Sequence, residues 1–166
     1  MGTESLKLWI LLVFTQLTAS LVADHLSYAR LESLKFILSH YRWEQEGIRY
    51  QHIFHIKLWK DLVPELGNHF DKNHLKEKNP AYLMQFILES VRAETCHFLS
   101  LLFALPLLRQ APLWVILYIV LINIPCIIIQ RYNRPRLEKL MQQMLKKQNG
   151  KISTQELPVP IYGKTT

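Results

Sequence analysis

Glycine is scarce in this sequence, five in 166 residues. None lies in a phosphate-cradling loop, a dinucleotide fingerprint or a G-x-S-x-G nucleophile elbow. The usual nucleotide-binding and serine-hydrolase sites are thereby excluded. Cysteine is scarcer still. Cys96 and Cys126 both lie in apolar sequence, their spacing suggests neither a disulfide framework nor a metal site, and they read as buried thiols. None of the seven histidines has an aspartate five residues later, so no His-x4-Asp catalytic pair is present. Zinc-finger spacing, RNA-binding aromatic patterns and basic-zipper patterns are missing too, which argues against a nucleic-acid partner for the basic charge.

What the chain has is apolar sequence gathered into blocks. Hydrophobic residues make up 49% of it, and the length suits one domain. The first block, LWILLVFTQLTASLVA at 8–23, is about 24 Å long as a helix, a little short of a typical bilayer core. Residues 1–23 are therefore expected to be an N-terminal membrane anchor, with a cleaved signal peptide as the alternative because SLVA ends in small residues. The block LWVILYIVLINIPCIII at 113–129 has one strongly polar residue, Asn123. Together with the apolar stretch before the RQAP break, it makes 98–129 a membrane hairpin or a single span. Pro106 and Pro125 are expected to kink or interrupt these helices.

The expected class is a mainly α, small integral membrane protein. Asp24 is a plausible N-cap for an amphipathic surface helix with Leu26, Ala29, Leu34, Ile37, Leu38 and Tyr41 on one side. Residues 24–97 form the polar amphipathic segment, with room for a short strand over 48–56. Asn79-Pro80 marks a helix start. Residues 130–149 read as a basic interfacial helix, and 150–166 as a disordered tail.

Net charge is +7, unevenly distributed. Ten basic and ten acidic side chains lie between positions 24 and 97, whereas 131–166 carry eight basic and two acidic ones. A surplus that follows a membrane run favours anionic lipid as partner and a cytoplasmic C-terminal segment. A hairpin would place the polar segment on that same side, whereas a single span over 113–129 would place it outside.

Charged groups next to apolar sequence are costly unless paired, which makes them candidates for chemistry. In ESVRAETCH, Glu89 and Arg92 share one helical face and Glu94 and His97 another. Glu94 could orient His97 as a general base on a hydroxyl, or both pairs could merely stabilise the helix. A metal role for Glu94-x-x-His97 lacks a second ligand pair. His69 and His74 read as solvent-exposed. Lys57 and Lys60 in KLWKDLVPELG suit an anionic donor group or an interfacial stretch. QRYNRPRL at 130–137 is an adequate positive stop. Its interleaved polar groups, with Asn123 upstream, also make Arg131, Asn133 and Arg134 candidate ligands for a polar headgroup.

IKLWKDLVPELG, HFDKNHL, ESVRAETCH and above all NIPCIIIQRYNRPRL resemble the bacterial glycosyl-4,4'-diaponeurosporenoate acyltransferase family. The resemblance implies a membrane acyltransferase at the end of staphyloxanthin-type carotenoid synthesis. Such an enzyme esterifies the C6 hydroxyl of the acceptor's glucose with a long fatty acyl chain. It also implies a glycosylated terpenoid acceptor and an acyl donor, expected to be a thioester co-substrate, with no further cofactor. Glu94 and His97 are the expected catalytic pair. Lys57, Lys60, Glu89, Arg92, Asn123, Arg131, Asn133 and Arg134 are expected to bind substrate, with no metal. The rival reading is a non-enzymatic lipid-binding or assembly factor that uses the same arginines.

Overall fold

The computed structural model describes residues 3–63, 77, 79–109 and 111–155, and over these the chain is helical with no strand. Helix α1 spans Thr3–Asp24, α2 Tyr28–Ile37, α3 Ile48–Phe54, α4 Pro80–Leu108 and α5 Leu113–Gln155. Short 3-10 turns at Arg42–Glu44, Ile56–Leu58 and Lys60–Leu62 complete the polar segment. His69 and His74 lie outside the described residues.

Among the described residues two helices are long and apolar enough to cross a membrane, α1 over Ser5–Asp24 and α5 over Leu113–Asn149. Between them packs the apolar second half of α4. Leu12, Ala104, Val115 and Ile119 form a shared core, with Trp9 and Tyr118 against it. Trp9 meets Trp114 at 5.3 Å and Tyr118 at 5.0 Å, an aromatic cluster of the kind that marks a membrane boundary. At the opposite end of α1, Arg92 of α4 donates to the carbonyls of Ala23, Asp24 and Leu26. A cation thus answers the unsatisfied carbonyls at a helix C-terminus. Successive contacts of α4 with α5, from Ala104 with Val115 to His97 with Asn123 and Glu94 with Arg131, make the two helices antiparallel neighbours. The polar segment and the basic part of α5 therefore share one end of the bundle.

Several local expectations need correcting. The N-cap of α2 is Ser27, while Asp24 closes α1. Its buried face is Leu31, packed with Leu26, Leu34 and Leu38 on Leu88 and Val91 of α4, whereas Ala29, Ile37 and Tyr41 are exposed. Residues 48–54 are helix, not strand. Asn79 does cap α4, its side chain accepting from the Tyr82 N–H at 2.7 Å, with Pro80 in the first turn. Pro106 lies within α4, and Pro125 and Pro135 within α5. The interfacial helix expected over 130–149 is thus a direct continuation of the apolar run, and α5 runs past Gly150 to Gln155. A proline removes one backbone donor, and tertiary contacts on either side hold the helix together across it.

The chain reverses sharply after the first 3-10 turn. Gln45, Glu46 and Gly47 all have positive φ, and Gly47, at +83°, lies against the backbone of α5. A Cβ there would meet the Tyr132 carbonyl oxygen at 2.9 Å and the Tyr132 Cα at 3.2 Å. Neither atom can move without displacing α5. Gly47→Ala should therefore lower stability by about 1–3 kcal/mol from the backbone conformation alone, with the clash added. A fall in the thermal midpoint of the detergent-purified protein would register it.

Candidate functional site

Where the apolar run of α5 ends, two carboxylates and two guanidinium groups form one buried chain. Arg131 Nε donates to Glu44 Oε1 at 2.6 Å, and Arg131 Nη1 to Glu94 Oε1 at 2.7 Å. Arg134 Nη2 donates to the other oxygen of Glu94. Glu44 also accepts from Tyr50 Oη at 2.7 Å and from the Tyr41 N–H at 3.0 Å. The remaining nitrogens of the arginines reach the Ser39 carbonyl at 3.4 Å, the Leu38 carbonyl at 3.2 Å and Ser90 Oγ at 3.4 Å. The two carbonyls belong to the C-terminal end of α2, so the same cations hold α2 onto the bundle.

The network is charge-balanced and closed to solvent, Arg131 being 7% and Arg134 1% exposed. Burial pushes the Glu44 carboxyl up, but the hydrogen bonds from Arg131 and Tyr50 outweigh it and hold the group below the usual carboxylate range. Burial and the Glu44 carboxylate push the Tyr50 phenol up to about 12. Tyr50 is thus a fixed donor. Arg131 and Arg134, expected to face a ligand, spend every guanidinium nitrogen on protein acceptors. Asn133 beside them is half-buried, and Arg136 stacks on Tyr132 at 3.5 Å and donates to the Tyr132 carbonyl at 2.6 Å.

Glu94 likewise turns its carboxylate to the arginines rather than to His97. The imidazole has a different orienting partner. His97 Nδ1 lies 3.0 Å from Asn123 Oδ1, and Asn123 Nδ2 donates to the Ile119 carbonyl at 2.9 Å. The second bond fixes which way the amide faces. Asn123 Oδ1 is then the acceptor, His97 Nδ1 carries the proton, and Nε2 is the basic nitrogen. The partner came from a residue expected to bind substrate. Sequence spacing favoured Glu94 because it considers one helix at a time, and Asn123 is on another.

The other candidates stand apart from this pair. Glu89 and Arg92 do meet, at 3.1 Å, with Tyr28 Oη on the carboxylate at 3.3 Å, and the pair serves the end of α1. Lys57 is exposed on its 3-10 turn, and Lys60 pairs with Asp61. Among the described residues, no three His, Cys, Asp or Glu side chains are grouped to hold a metal.

An open cleft of about 360 Å3 lies between α2 and α5, with Lys35, His40, Arg134 and Glu138 on its walls. His40 Nδ1 is 4.0 Å from Glu138, and Nε2 is buried without a hydrogen-bond partner among the described residues. Burial lowers the His40 pKa, so at neutral pH this contact is not an ion pair. Along α5, Arg134 lies about 16 Å beyond Asn123, at 1.5 Å per residue. The cleft and the His97–Asn123 pair are separate places.

Fold and site together give a helical protein with two helices long and apolar enough to cross a membrane, and an imidazole oriented by Asn123 where α4 meets α5. The glycosyl-4,4'-diaponeurosporenoate acyltransferase family matches residues 34–143, a range that holds Glu44, Glu94, His97, Asn123, Arg131 and Arg134. The chain belongs to that family. It is 31% identical over 119 residues to the glycosyl-4,4'-diaponeurosporenoate acyltransferase of Staphylococcus aureus strain Newman, which covers 67% of this chain and 72% of the relative. The protein of the same name from Staphylococcus haemolyticus is 31% identical over 113 residues, 63% of this chain and 66% of the relative. That of Staphylococcus aureus strain USA300 is 32% identical over 114 residues, 64% and 68%. The chain thus matches about two thirds of the length of these relatives. No solved structure matches.

Proposed function

We propose that the chain transfers a long-chain fatty acyl group to the C6 hydroxyl of the glucose on glycosyl-4,4'-diaponeurosporenoate, with His97 as general base. The observation that carries the reading is the pair of hydrogen bonds at Asn123, which orients the imidazole of His97 where α4 meets α5. In the proposed step, Nε2 takes the hydroxyl proton as the sugar oxygen attacks the thioester carbonyl. The C–O bond forms, the C–S bond breaks, and the departing thiolate takes the proton back. Asn123 acts through His97 and is a positioning residue.

Depth supports the assignment. His97 is one helical turn further into the bundle than Glu94, about 4.5 Å, just inside the level where α1, α4 and α5 leave apolar sequence. An isoprenoid tail and an acyl tail both lie in lipid there, and their reacting ends meet near the headgroups. Exposed Lys57 offers an ammonium to the phosphates of a thioester donor. The basic surplus of 131–166 favours a cytoplasmic face for this end of the bundle.

The test is to incubate the purified protein, in lipid, with the glycosylated acceptor and a long-chain acyl thioester, and to weigh the product. A gain of one acyl mass is expected with the glucosyl acceptor and none with its 6-deoxyglucosyl analogue. Acylation of the deoxy analogue would overturn the C6 assignment, and no acylation of either would overturn the activity.

A further inference from the structure

Residues 50–62 leave four large apolar side chains facing outward. Ile53 is 60% exposed, Phe54 44%, Leu58 78% and Leu62 79%. Their opposite faces are accounted for. Tyr50 and Ile56 are buried with Tyr132, and Trp59 and Ile128 pack against them. Trp59 also donates its indole N–H to the Phe54 carbonyl at 2.8 Å, which ties the end of α3 to the following turns.

The level of this packing is set by α5. Ile128 belongs to the apolar run 113–129 and Tyr132 to the first turn beyond it. The same level is marked on α1 by Asp24 and on α4 by Arg92, whose guanidinium donates to the Asp24 carbonyl at 3.1 Å. Residues 50–62 are therefore held where the spanning helices leave the lipid. Side chains directed outward from there meet acyl chains and headgroups rather than bulk water. Lys57 and Lys60 lie between the apolar positions, and their long stems allow charged ends to reach phosphates while the neighbouring side chains enter the leaflet.

We propose that Ile53, Phe54, Leu58 and Leu62 form a collar that inserts into the leaflet on the polar side, a third membrane attachment besides α1 and α5. Its occupant is lipid, because the packing of Tyr50, Ile56 and Trp59 on Ile128 and Tyr132 holds these residues where the apolar run of α5 ends. The proposal rests on α1 and α5 being spans and is independent of the acyl-transfer reading.

The test uses the full chain with Cys96 and Cys126 changed to serine. A nitrobenzoxadiazole label is placed on Leu58→Cys or Leu62→Cys, or on Leu121→Cys as a reference for the spanning part of α5. Each protein is reconstituted in phosphatidylcholine vesicles carrying bromines near the top or near the end of the acyl chains. At both collar positions blue-shifted emission is expected, quenched at least twofold more by shallow bromines than by deep ones and little affected by aqueous iodide. At position 121 the deep bromines should quench more. Collar labels quenched by iodide would overturn the proposal. So would labels shielded from iodide yet untouched by bromolipid, as under a protein partner or a second copy. Loss of bromine quenching at all three positions overturns it together with the span assignment.

Discussion

On the proposed mechanism His97→Ala should lower the rate of acyl transfer by about 10²–10⁴-fold, the range attributed to one general base. The protein should still fold, because the imidazole is half-buried and is not part of the ion network that joins the segments. Asn123→Ala should mainly lower kcat and leave KM for the glycosylated acceptor nearly unchanged, because in the proposed role its amide oxygen only orients the imidazole. A purely structural Asn123 would instead lower the thermal midpoint and reduce the amount of active enzyme without changing turnover per active molecule. Turnover of His97→Ala equal to that of the parent, at a matched thermal midpoint, would remove His97 from the mechanism.

The second large effect concerns stability. Glu94→Ala deprives both buried arginines of their shared carboxylate, leaving Arg131 with only Glu44 and Arg134 with no carboxylate within reach among the described residues. Breaking a buried ion pair from one side costs about 3–5 kcal/mol, because the remaining charge keeps its desolvation penalty and loses its partner. The expected result is poor yield and a sharply lowered thermal midpoint. Replacing all four charged residues together, Glu44→Leu, Glu94→Leu, Arg131→Met and Arg134→Met, should cost less than Glu94→Ala alone, since no charge is then stranded. If Glu94→Ala melts like the parent and loses only activity, the pairing of Glu94 with His97 read from the sequence is the better account.

The helical class, the apolar spans, the Asn79-Pro80 helix start and the Glu89–Arg92 pair were all legible in the chain. Each depends on composition or on spacing within one segment, and local sequence is sufficient for those. The resemblance was legible as well, because QRYNRPRL and ESVRAETCH are distinctive as strings. Glu44 was not. It lies in the irregular WEQEG stretch, and nothing there reveals that three left-handed residues turn the chain so that its carboxylate reaches α5.

By itself the sequence determined which segments favour lipid, where charge accumulates and which polar residues lie at the edges of the apolar runs. Tertiary structure decided what those residues do. A charge in low dielectric takes whichever opposite charge the packing brings near, and the antiparallel pairing of α4 with α5 brought Arg131 and Arg134 to Glu94 before any ligand. The same pairing brought Asn123 to His97 across 26 residues of sequence, a distance that helical periodicity within one segment does not cover.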